Sequence, residues 1–311
     1  MGNGQRVTSP AVAAIEVKGL VKHYGDVAAV DGVDLTIETG EVFALLGPNG
    51  AGKTTTVEIL EGHRDRDSGE VRVLGFDPAS ESRDYRERIG IVLQSTSVIP
   101  ELSVREVVDL FGNMYPKPMP TDEVIEIIGL ADKADARIKT LSGGQVRRVD
   151  LGLGIVGDPD LIFLDEPTTG FDPSARRSSW SLVHNLRSLG KTILLTTHYM
   201  DEAQNLSDRV AVIAGGKIVA EGSPDTLGGR AGAGARVSFV LPDGSGDIPE
   251  PFRVAPSREG IVEVATATPT EDLHRLTEWA VRRQIELERL AVMRPSLEDV
   301  YLAITEENED G

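Results

Sequence analysis

The stretch Gly-Pro-Asn-Gly-Ala-Gly-Lys-Thr at residues 47–54 constrains the fold more than any other part of the chain. It follows an apolar run, 42–46, that is typical of a buried strand, and it precedes residues 55–61, which have the pattern of a helix. A strand, a glycine-rich loop and a helix are the context that the phosphate-loop pattern GxxxxGK(S/T) requires. Glycines let the backbone approach an anion closely, and the helix adds its positive N-terminal end. The stretch therefore predicts a nucleotide site, with Lys53 on the β- and γ-phosphates and Thr54 on Mg²⁺.

Composition narrows the function classes. The 311 residues leave room for two domains, and 40% of them are hydrophobic, as in a globular protein. The formal net charge of −18 argues against a general nucleic-acid binder, because phosphate backbones need basic surfaces. The absence of cysteine excludes disulfides and thiolate metal sites and fits a reducing compartment. The five histidines show no ligand spacing, so we expect no structural metal.

No apolar run in the sequence approaches the length of a membrane span. The first residues are polar and lack the apolar centre of a signal peptide, and we expect 1–13 to be a disordered tail. If the protein serves a membrane, we expect it to do so peripherally, from the cytoplasmic face and through a partner.

The order of the predicted elements indicates an α/β protein. Alternating strand and helix patterns predict a mainly parallel sheet, preceded by an antiparallel β subdomain and interrupted by helical patterns at about 95–157. A glycine-rich segment then separates a small α+β domain. The expected organisation is a tail at 1–13, a nucleotide-binding domain at 14–226, a linker at 227–235, an accessory domain at 236–305 and an acidic tail at 306–311.

Two carboxylates end an apolar strand pattern at 161–164. By themselves, Asp165 and Glu166 are better interpreted as solvated acids at a strand end. Beside a phosphate loop the balance reverses, because such a strand would deliver Asp165 to the Mg²⁺ shell. Glu166 would then lie where a water can be aimed at the γ-phosphate.

A Leu-Ser-Gly-Gly-Gln sequence at 141–145 opens a further predicted helix. Ser142 is a good N-cap residue, and the glycines leave backbone N–H groups uncovered. This helix end is therefore a candidate second anion site, although a Ser-Gly-Gly turn is usually only a cap.

Taken in order, these motifs make the chain resemble the nucleotide-binding subunit of ATP-binding cassette (ABC) transporters over about residues 15–225. The resemblance implies that Tyr24 stacks on adenine, Gln94 contacts Mg²⁺ or water, and Asp172 lies in a loop between two subunits. It also implies that His198 contacts the γ-phosphate and helps to hold Glu166 and the water. The implied catalytic residues are Lys53, Gln94, Glu166 and His198, and the implied metal ligands are Thr54, Gln94 and Asp165. The implied ATP contacts are Tyr24, Gly47, Pro48, Asn49, Gly50, Ala51, Gly52, Lys53, Thr54, Thr55, Ser142, Gly143, Gly144, Gln145 and Asp172.

In this family two subunits bind head to tail, and each ATP lies between the phosphate loop of one and the LSGGQ segment of the other. The resemblance thus implies a homodimer that drives a separate integral membrane permease. Details at 51–56, Asp150, 197–203 and 296–302 resemble the drug-resistance (daunorubicin-type, ABC-2) exporters. An importer subunit is an alternative, as is a soluble ABC ATPase acting on nucleic acid or ribosomes. The acidity and the lack of a long coiled-coil insertion or second cassette oppose the latter.

Two departures from the family pattern lie outside the catalytic atoms. Gly152 and Gly154 fall inside the helix that follows the LSGGQ segment, and each costs roughly 1 kcal/mol relative to alanine, so we expect a softer helix. Phe171 stands where leucine is commoner in the family. The accessory domain is expected to be a packing or dimer-stabilising appendage rather than a ligand sensor.

Overall fold

A computed structural model gives the structure of most of the chain. Gln94, Asp172, Phe171 and both predicted tails apart from Ala13 lie outside the residues that it describes, as do residues 228–234 of the linker. The described residues are 13–80, 82–92, 98–169, 173–227, 235–242, 248–253, 260–293, 297–299 and 301.

The chain divides into two compact units, Met1–Pro224 and Asp225–Gly311. The first contains β1 (Ala13–Tyr24), β2 (Val27–Glu38), β3 (Val42–Leu46), α1 (Lys53–Glu61), β4 (Ser68–Val73), α2 (Arg83–Arg86), β5 (Ile89–Val92), α3 (Val104–Gly112), α4 (Thr121–Ile127), α5 (Gly143–Ile155), β6 (Leu161–Asp165), α6 (Pro173–Ser188), β7 (Thr192–Thr197), α7 (Met200–Leu206), β8 (Arg209–Ala214) and β9 (Lys217–Gly222). The second contains β10 (Ala235–Val240), β11 (Ile261–Thr266), α8 (Pro269–Arg283) and β12 (Glu288–Met293).

A six-stranded sheet in the order β5-β6-β7-β3-β8-β9 forms the centre of the first unit. Its first five strands are parallel, and β9 runs antiparallel to β8. Strands β3 and β7 are buried throughout, as expected for a sheet covered on both faces. The predicted mainly parallel α/β core is therefore confirmed, while β9 was not predicted.

The strand register brings three motifs to one edge of this sheet. Leu46, the last residue before the phosphate loop, pairs with Thr197, and Asp165 pairs with Thr196 of the same strand. Because parallel strands end at a common edge, the phosphate loop, the two carboxylates and His198 all leave the sheet together.

A smaller antiparallel sheet, in the order β2-β1-β4, confirms the predicted N-terminal β subdomain. Its strands are longer than their period-two patterns indicated. Tyr24 is the last residue of β1, and Ala13, which was predicted to belong to the tail, is the first.

The helical segment between β5 and β6 contains helices with clear start and stop signals. Ser103 caps α3 with a capping box that includes Glu106. Helix α4 ends at Ile127, and Gly129, two residues later, turns the backbone into the left-handed region with φ 65°.

The glycines of α5 allow close packing against neighbouring elements. Their presence in the helix, from which we expected a softer helix, therefore has a packing reason. A Cβ on Gly154 would lie 2.5 Å from Cγ2 of Val92, and one on Gly90 would lie 2.1 Å from the Gly154 carbonyl oxygen. A Cβ on Gly152 would meet Ile128 at 3.1 Å. Hydrogen in place of a side chain at Gly90 and Gly154 lets α5 pack directly on β5, while Gly152 lies against the side chain of Ile128 after α4.

The second unit is an α+β domain, as predicted. Its three antiparallel strands lie in the order β11-β10-β12, and α8 packs against β10. Val237, Phe239, Phe252, Val262 and Leu276 form its fully buried core. In neither unit does a described helix combine the length and apolarity needed to cross a bilayer.

Candidate functional site

The phosphate loop passes so close to other backbone that two of its glycines cannot be replaced without movement. A Cβ on Gly47 would lie 2.4 Å from the Ile213 carbonyl oxygen. Gly52 has φ 108°, and a Cβ there would lie 2.3 Å from the Ala29 carbonyl oxygen. Glycine is therefore required for space at both positions and, at Gly52, also for the left-handed backbone conformation.

The loop frames a cavity of about 420 Å³. Inside it, Nζ of Lys53 donates hydrogen bonds to the carbonyl oxygens of Gly47, at 2.8 Å, and Pro48, at 3.1 Å. Burial lowers the pKa of Lys53, and the charges of Glu166 and Asp165 offset this only in part. Lining residues are Ala29, Asn49, Gly50, Gly52, Lys53, Thr54, Thr55 and Glu166.

Glu166 is held in a defined orientation at the edge of this cavity. Its backbone has φ 42°, a left-handed conformation that is uncommon for a residue with a side chain. Oε2 accepts a hydrogen bond from the Thr169 hydroxyl at 2.9 Å, while Oε1 lies 3.2 Å from Nδ1 of His198 and 3.7 Å from Nζ of Lys53. Two of the predicted catalytic residues, Lys53 and His198, therefore converge on the carboxylate of a third, Glu166.

The surroundings of Glu166 keep it ionised. Burial disfavours the charge, but hydrogen bonds from Thr169 and His198 and the positive charge of Lys53 outweigh it, so the pKa of Glu166 lies below its ordinary value. The carboxylate can therefore accept a proton across the neutral pH range.

Asp165 precedes Glu166 at the end of β6. Its Oδ1 accepts a hydrogen bond from the Thr196 hydroxyl at 2.6 Å, and that hydroxyl also receives the Glu166 N–H at 3.0 Å. Arg147 of α5 reaches the backbone of the same turn, with Nε 3.4 Å from the Pro167 carbonyl oxygen. The turn that carries both carboxylates is thus anchored from β7 and from the helical segment.

Oxygen ligands are present where Mg²⁺ would bind. Thr54 lines the cavity and Asp165 ends the neighbouring strand, whereas the described residues contain no group of three or more histidine, cysteine or acidic residues able to hold a metal. Mg²⁺ typically binds through one or two protein oxygens together with substrate phosphates and water. The donor set therefore fits Mg²⁺ held jointly with a nucleotide.

Tyr24 lies outside the phosphate cavity, 43% exposed at the end of β1. The Arg64 guanidinium carbon is 5.3 Å from the centre of its ring, and Nζ of Lys22 is 5.8 Å away. Two cations thus lie beside the ring that is predicted to stack on adenine.

The LSGGQ segment forms a well-defined helix end. The Ser142 hydroxyl accepts the Gln145 N–H at 3.3 Å, and the Gln145 side chain accepts the Ser142 N–H at 2.9 Å. No heavy atom of a described residue lies within 4 Å of a Cβ built on Gly143 or Gly144, so this end is open. None of these residues lines the phosphate cavity of the same chain, as far as the described residues extend.

Comparison with known proteins agrees with this geometry. Residues 30–169 match the family described as ABC transporter. The chain is 37% identical over 307 residues to the daunorubicin resistance ATP-binding protein DrrA3 of Streptomyces coeruleorubidus, covering 95% of this chain and 96% of the relative. The chain belongs to the ABC transporter family. It is an ATP-binding and ATP-hydrolysing member of that family, as the motifs predicted.

Other relatives extend the comparison. The Nod factor export ATP-binding protein I of Rhizobium sp. (strain N33) is 39% identical over 302 residues, covering 94% of this chain and 97% of the relative. An ATP-binding cassette solved as a dimer in a post-hydrolysis state with ADP and Pi superimposes with a TM-score of 0.59 at 26% identity, covering 67% of this chain and 98% of that one. Residues 235–296 match a family described as the C-terminal domain of ABC transporter domain-containing proteins.

Several residues of the ABC site were not predicted from sequence. Thr169, Thr196 and Arg147 all hold the carboxylate turn, yet each is a common residue type without a spacing signal. The one available hint was Thr196, a polar residue that ends an otherwise apolar strand pattern. Contacts of this kind depend on tertiary placement.

A second cavity, of about 550 Å³, lies beside the C-terminal end of α1 and is lined by α5 residues and by Glu61, Tyr85 and Phe111. The Glu61 side chain is 3% exposed, and its Oε2 lies 3.3 Å from Nδ1 of His63. Burial, together with the nearby charges of Asp165 and Glu58, raises the pKa of Glu61 to about 8.

This raised pKa predicts a pH dependence of stability. The folded chain holds the Glu61 proton more tightly than the unfolded chain, so the stabilisation is complete below about pH 4.5 and is lost as the pH rises to about 8. Each unit of pKa difference is worth about 1.4 kcal/mol. We expect Glu61→Gln to be more stable than the wild type at pH 8, with a gain that shrinks toward pH 5. Urea unfolding at each pH, without nucleotide and with EDTA, measures the free energy of unfolding of both proteins.

Glu126 of α4 is exposed, so Glu126→Gln is a matched carboxylate-to-amide control. The other titrating groups are the same in the wild type, Glu61→Gln and Glu126→Gln, so they do not affect the comparison. Glu126→Gln should follow the wild-type pH dependence. Equal stability gains for both variants, or parallel pH profiles for Glu61→Gln and the wild type, would contradict a shifted Glu61.

Proposed function

We propose that the chain is the ATPase subunit of an ABC exporter. In this proposal it binds ATP and Mg²⁺, closes as a homodimer and drives a separate membrane permease from the cytoplasmic face. The observation that carries the proposal is the Glu166 carboxylate, fixed between Lys53 and His198 at the edge of the phosphate cavity. Drug resistance and export stand in the names of relatives that match nearly the whole chain, and they favour export over import.

ATP binding would begin at the phosphate loop. Backbone N–H groups and the N-terminal end of α1 attract the phosphates, and Lys53 offers a buried ammonium. That ammonium donates to the carbonyl oxygens of Gly47 and Pro48, and the γ-phosphate would replace these acceptors. Asp165 and Thr54 would hold Mg²⁺, which neutralises phosphate charge when bound.

Hydrolysis would use Glu166 as the general base. Its ionised carboxylate accepts a proton from a water aligned with the γ-phosphate, while the Thr169 and His198 contacts fix the two oxygens. Because Lys53 would turn to the phosphate, Glu166 would lose one positive neighbour on ATP binding.

A second copy of the chain would complete the site. The open helix end at Ser142 presents backbone donors and a positive dipole but does not line its own cavity among the described residues. Placed against the γ-phosphate of an ATP that is bound in the partner chain, this helix end would join the two chains only while that phosphate is present. Hydrolysis would remove the bridge and shift the population to the open dimer.

The soluble alternative remains open to test. An ATPase acting on nucleic acid or ribosomes needs basic surface, and the net charge of −18 disfavours it. Expression with and without a candidate permease, taken from the neighbouring reading frames, separates the two. Recovery of the full chain with the membrane fraction only when the permease is present supports the exporter. An unchanged distribution, combined with salt-dependent binding to DNA or RNA, would favour the alternative.

A further inference from the structure

Glu202 of α7 is a buried carboxylate that the roles assigned above do not use. Its side chain is fully buried, and Oε1 accepts a hydrogen bond from the Thr168 hydroxyl at 2.9 Å. Oε2 makes no hydrogen bond of standard geometry within the described part of the chain, and burial raises the pKa of Glu202 although the hydroxyls of Thr197 and Thr168 and the charge of Arg176 oppose this. Burying a carboxylate is unfavourable unless its contacts repay the lost hydration, so its position requires a reason.

The position of Glu202 links the two segments that hold Glu166. Thr168 directly precedes Thr169, whose hydroxyl donates to Oε2 of Glu166. Helix α7 directly follows His198 and Tyr199, and His198 contacts the other oxygen of Glu166. The Thr168–Glu202 bond therefore ties together the segments that carry the two contacts.

The histidine side of this arrangement has further support. The Tyr199 ring contacts the His198 ring, with the ring centres 4.0 Å apart and the planes tilted by 40°. The Arg176 guanidinium of α6 lies 4.0 Å from the Tyr199 ring centre and donates to Asp201 at 3.1 Å. The start of α7 is thus held from α6 as well as through Glu202.

We infer that Glu202 is a positioning residue for hydrolysis, which acts through Thr168 to set the spacing of Thr169 and His198 around Glu166. It does not line the phosphate cavity among the described residues, so its effect is indirect. The inference rests on the proposed role of Glu166 as the general base. A purely structural role would change folding or ATP binding, whereas a positioning role changes the chemical step.

Threonine variants provide the least disruptive test. Thr168→Val removes the hydroxyl at nearly constant volume, and Thr168→Ser retains it. With the full chain, Thr168→Val is expected to lower kcat about tenfold, since one hydrogen bond to a charged group is lost. Its KM for ATP and its ATP dissociation constant should stay unchanged, and Thr168→Ser should retain wild-type kcat.

Variants of Glu202 identify the partner. Glu202→Gln keeps a carbonyl oxygen that can accept the Thr168 bond and should retain most of kcat. Glu202→Leu removes it and should match Thr168→Val. The double variant Thr168→Val with Glu202→Leu should be no slower than either single variant, because both break the same bond.

The outcomes are decisive in each direction. Wild-type kcat in Thr168→Val, an equal loss of ATP affinity and kcat, or additive losses in the double variant would overturn the positioning role. Glu166→Gln is measured alongside. If Glu166→Gln retains turnover, the assignment of Glu166 as the base fails. If Glu166→Gln loses turnover while Thr168→Val keeps full activity, only the role of Glu202 is overturned.

Discussion

Glu166→Gln is expected to bind ATP with nearly wild-type affinity while losing about 10²- to 10⁴-fold in turnover, the usual contribution of a general base. The amide cannot accept the proton of the attacking water, although it preserves the size of the side chain that lies between His198 and Lys53. With hydrolysis blocked, the γ-phosphate bridge persists, so the ATP-bound dimer should accumulate. Phosphate release assays and size-exclusion chromatography with MgATP measure the two effects.

The exposed Glu126 again supplies a matched control. Glu126→Gln should hydrolyse ATP at the wild-type rate and show no stable dimer. Normal turnover in Glu166→Gln would show that another group accepts the proton. Loss of turnover together with loss of ATP binding would show instead that Glu166 serves mainly to shape the cavity.

Lys53→Ala is expected to weaken ATP binding about 10- to 150-fold, since a charge-assisted hydrogen bond contributes about 1.5–3 kcal/mol. The Lys53 side chain is 5% exposed and lines the phosphate cavity. No lysine or arginine of the solvent-exposed surface can therefore replace its contact with the phosphates. The loss should be larger for ATP than for AMP, because AMP lacks the β- and γ-phosphates. Titration calorimetry with ATP, ADP and AMP measures the three affinities.

Lys117, an exposed lysine that does not line the cavity, is the control for charge removal. Lys117→Ala should bind all three nucleotides normally. Equal weakening of ATP and AMP by Lys53→Ala would point to a damaged fold rather than a lost phosphate contact, and unchanged ATP affinity would contradict the role of Lys53.

The sequence was sufficient for those parts of the fold that have local signals. The phosphate loop, the Ser142 cap and the strand ending in Asp165 each follow from short patterns, and each is found where it was predicted. The parallel order of the main sheet follows from alternating strands and helices. The ends of the elements depend on the local backbone path, which short patterns do not specify. Gly129 has a left-handed conformation just after α4, and β1 continues as far as Tyr24.

The support of Glu166 could not be predicted in the same way. Thr168, Thr169 and Glu202 lie up to 34 positions apart, and only the fold brings their side chains together. The glycines of α5 show the same limit: helix propensity alone indicated a softer helix, whereas Gly154 packs against β5 and Gly152 against Ile128. Gln94 and Asp172 lie outside the described residues, so their roles stay predictions.

The central claim is that one ATP lies between two chains, and mixed cysteine variants test it most directly. The chain has no native cysteine, so single cysteines can be placed cleanly. One chain carries Ser142→Cys, the other carries Ala29→Cys at the cavity wall, and both carry Glu166→Gln. A short thiol cross-linker should join the two different chains with MgATP and not with ADP. Cross-linking that ignores the nucleotide, or no cross-link with MgATP while both chains bind it, would contradict the shared site.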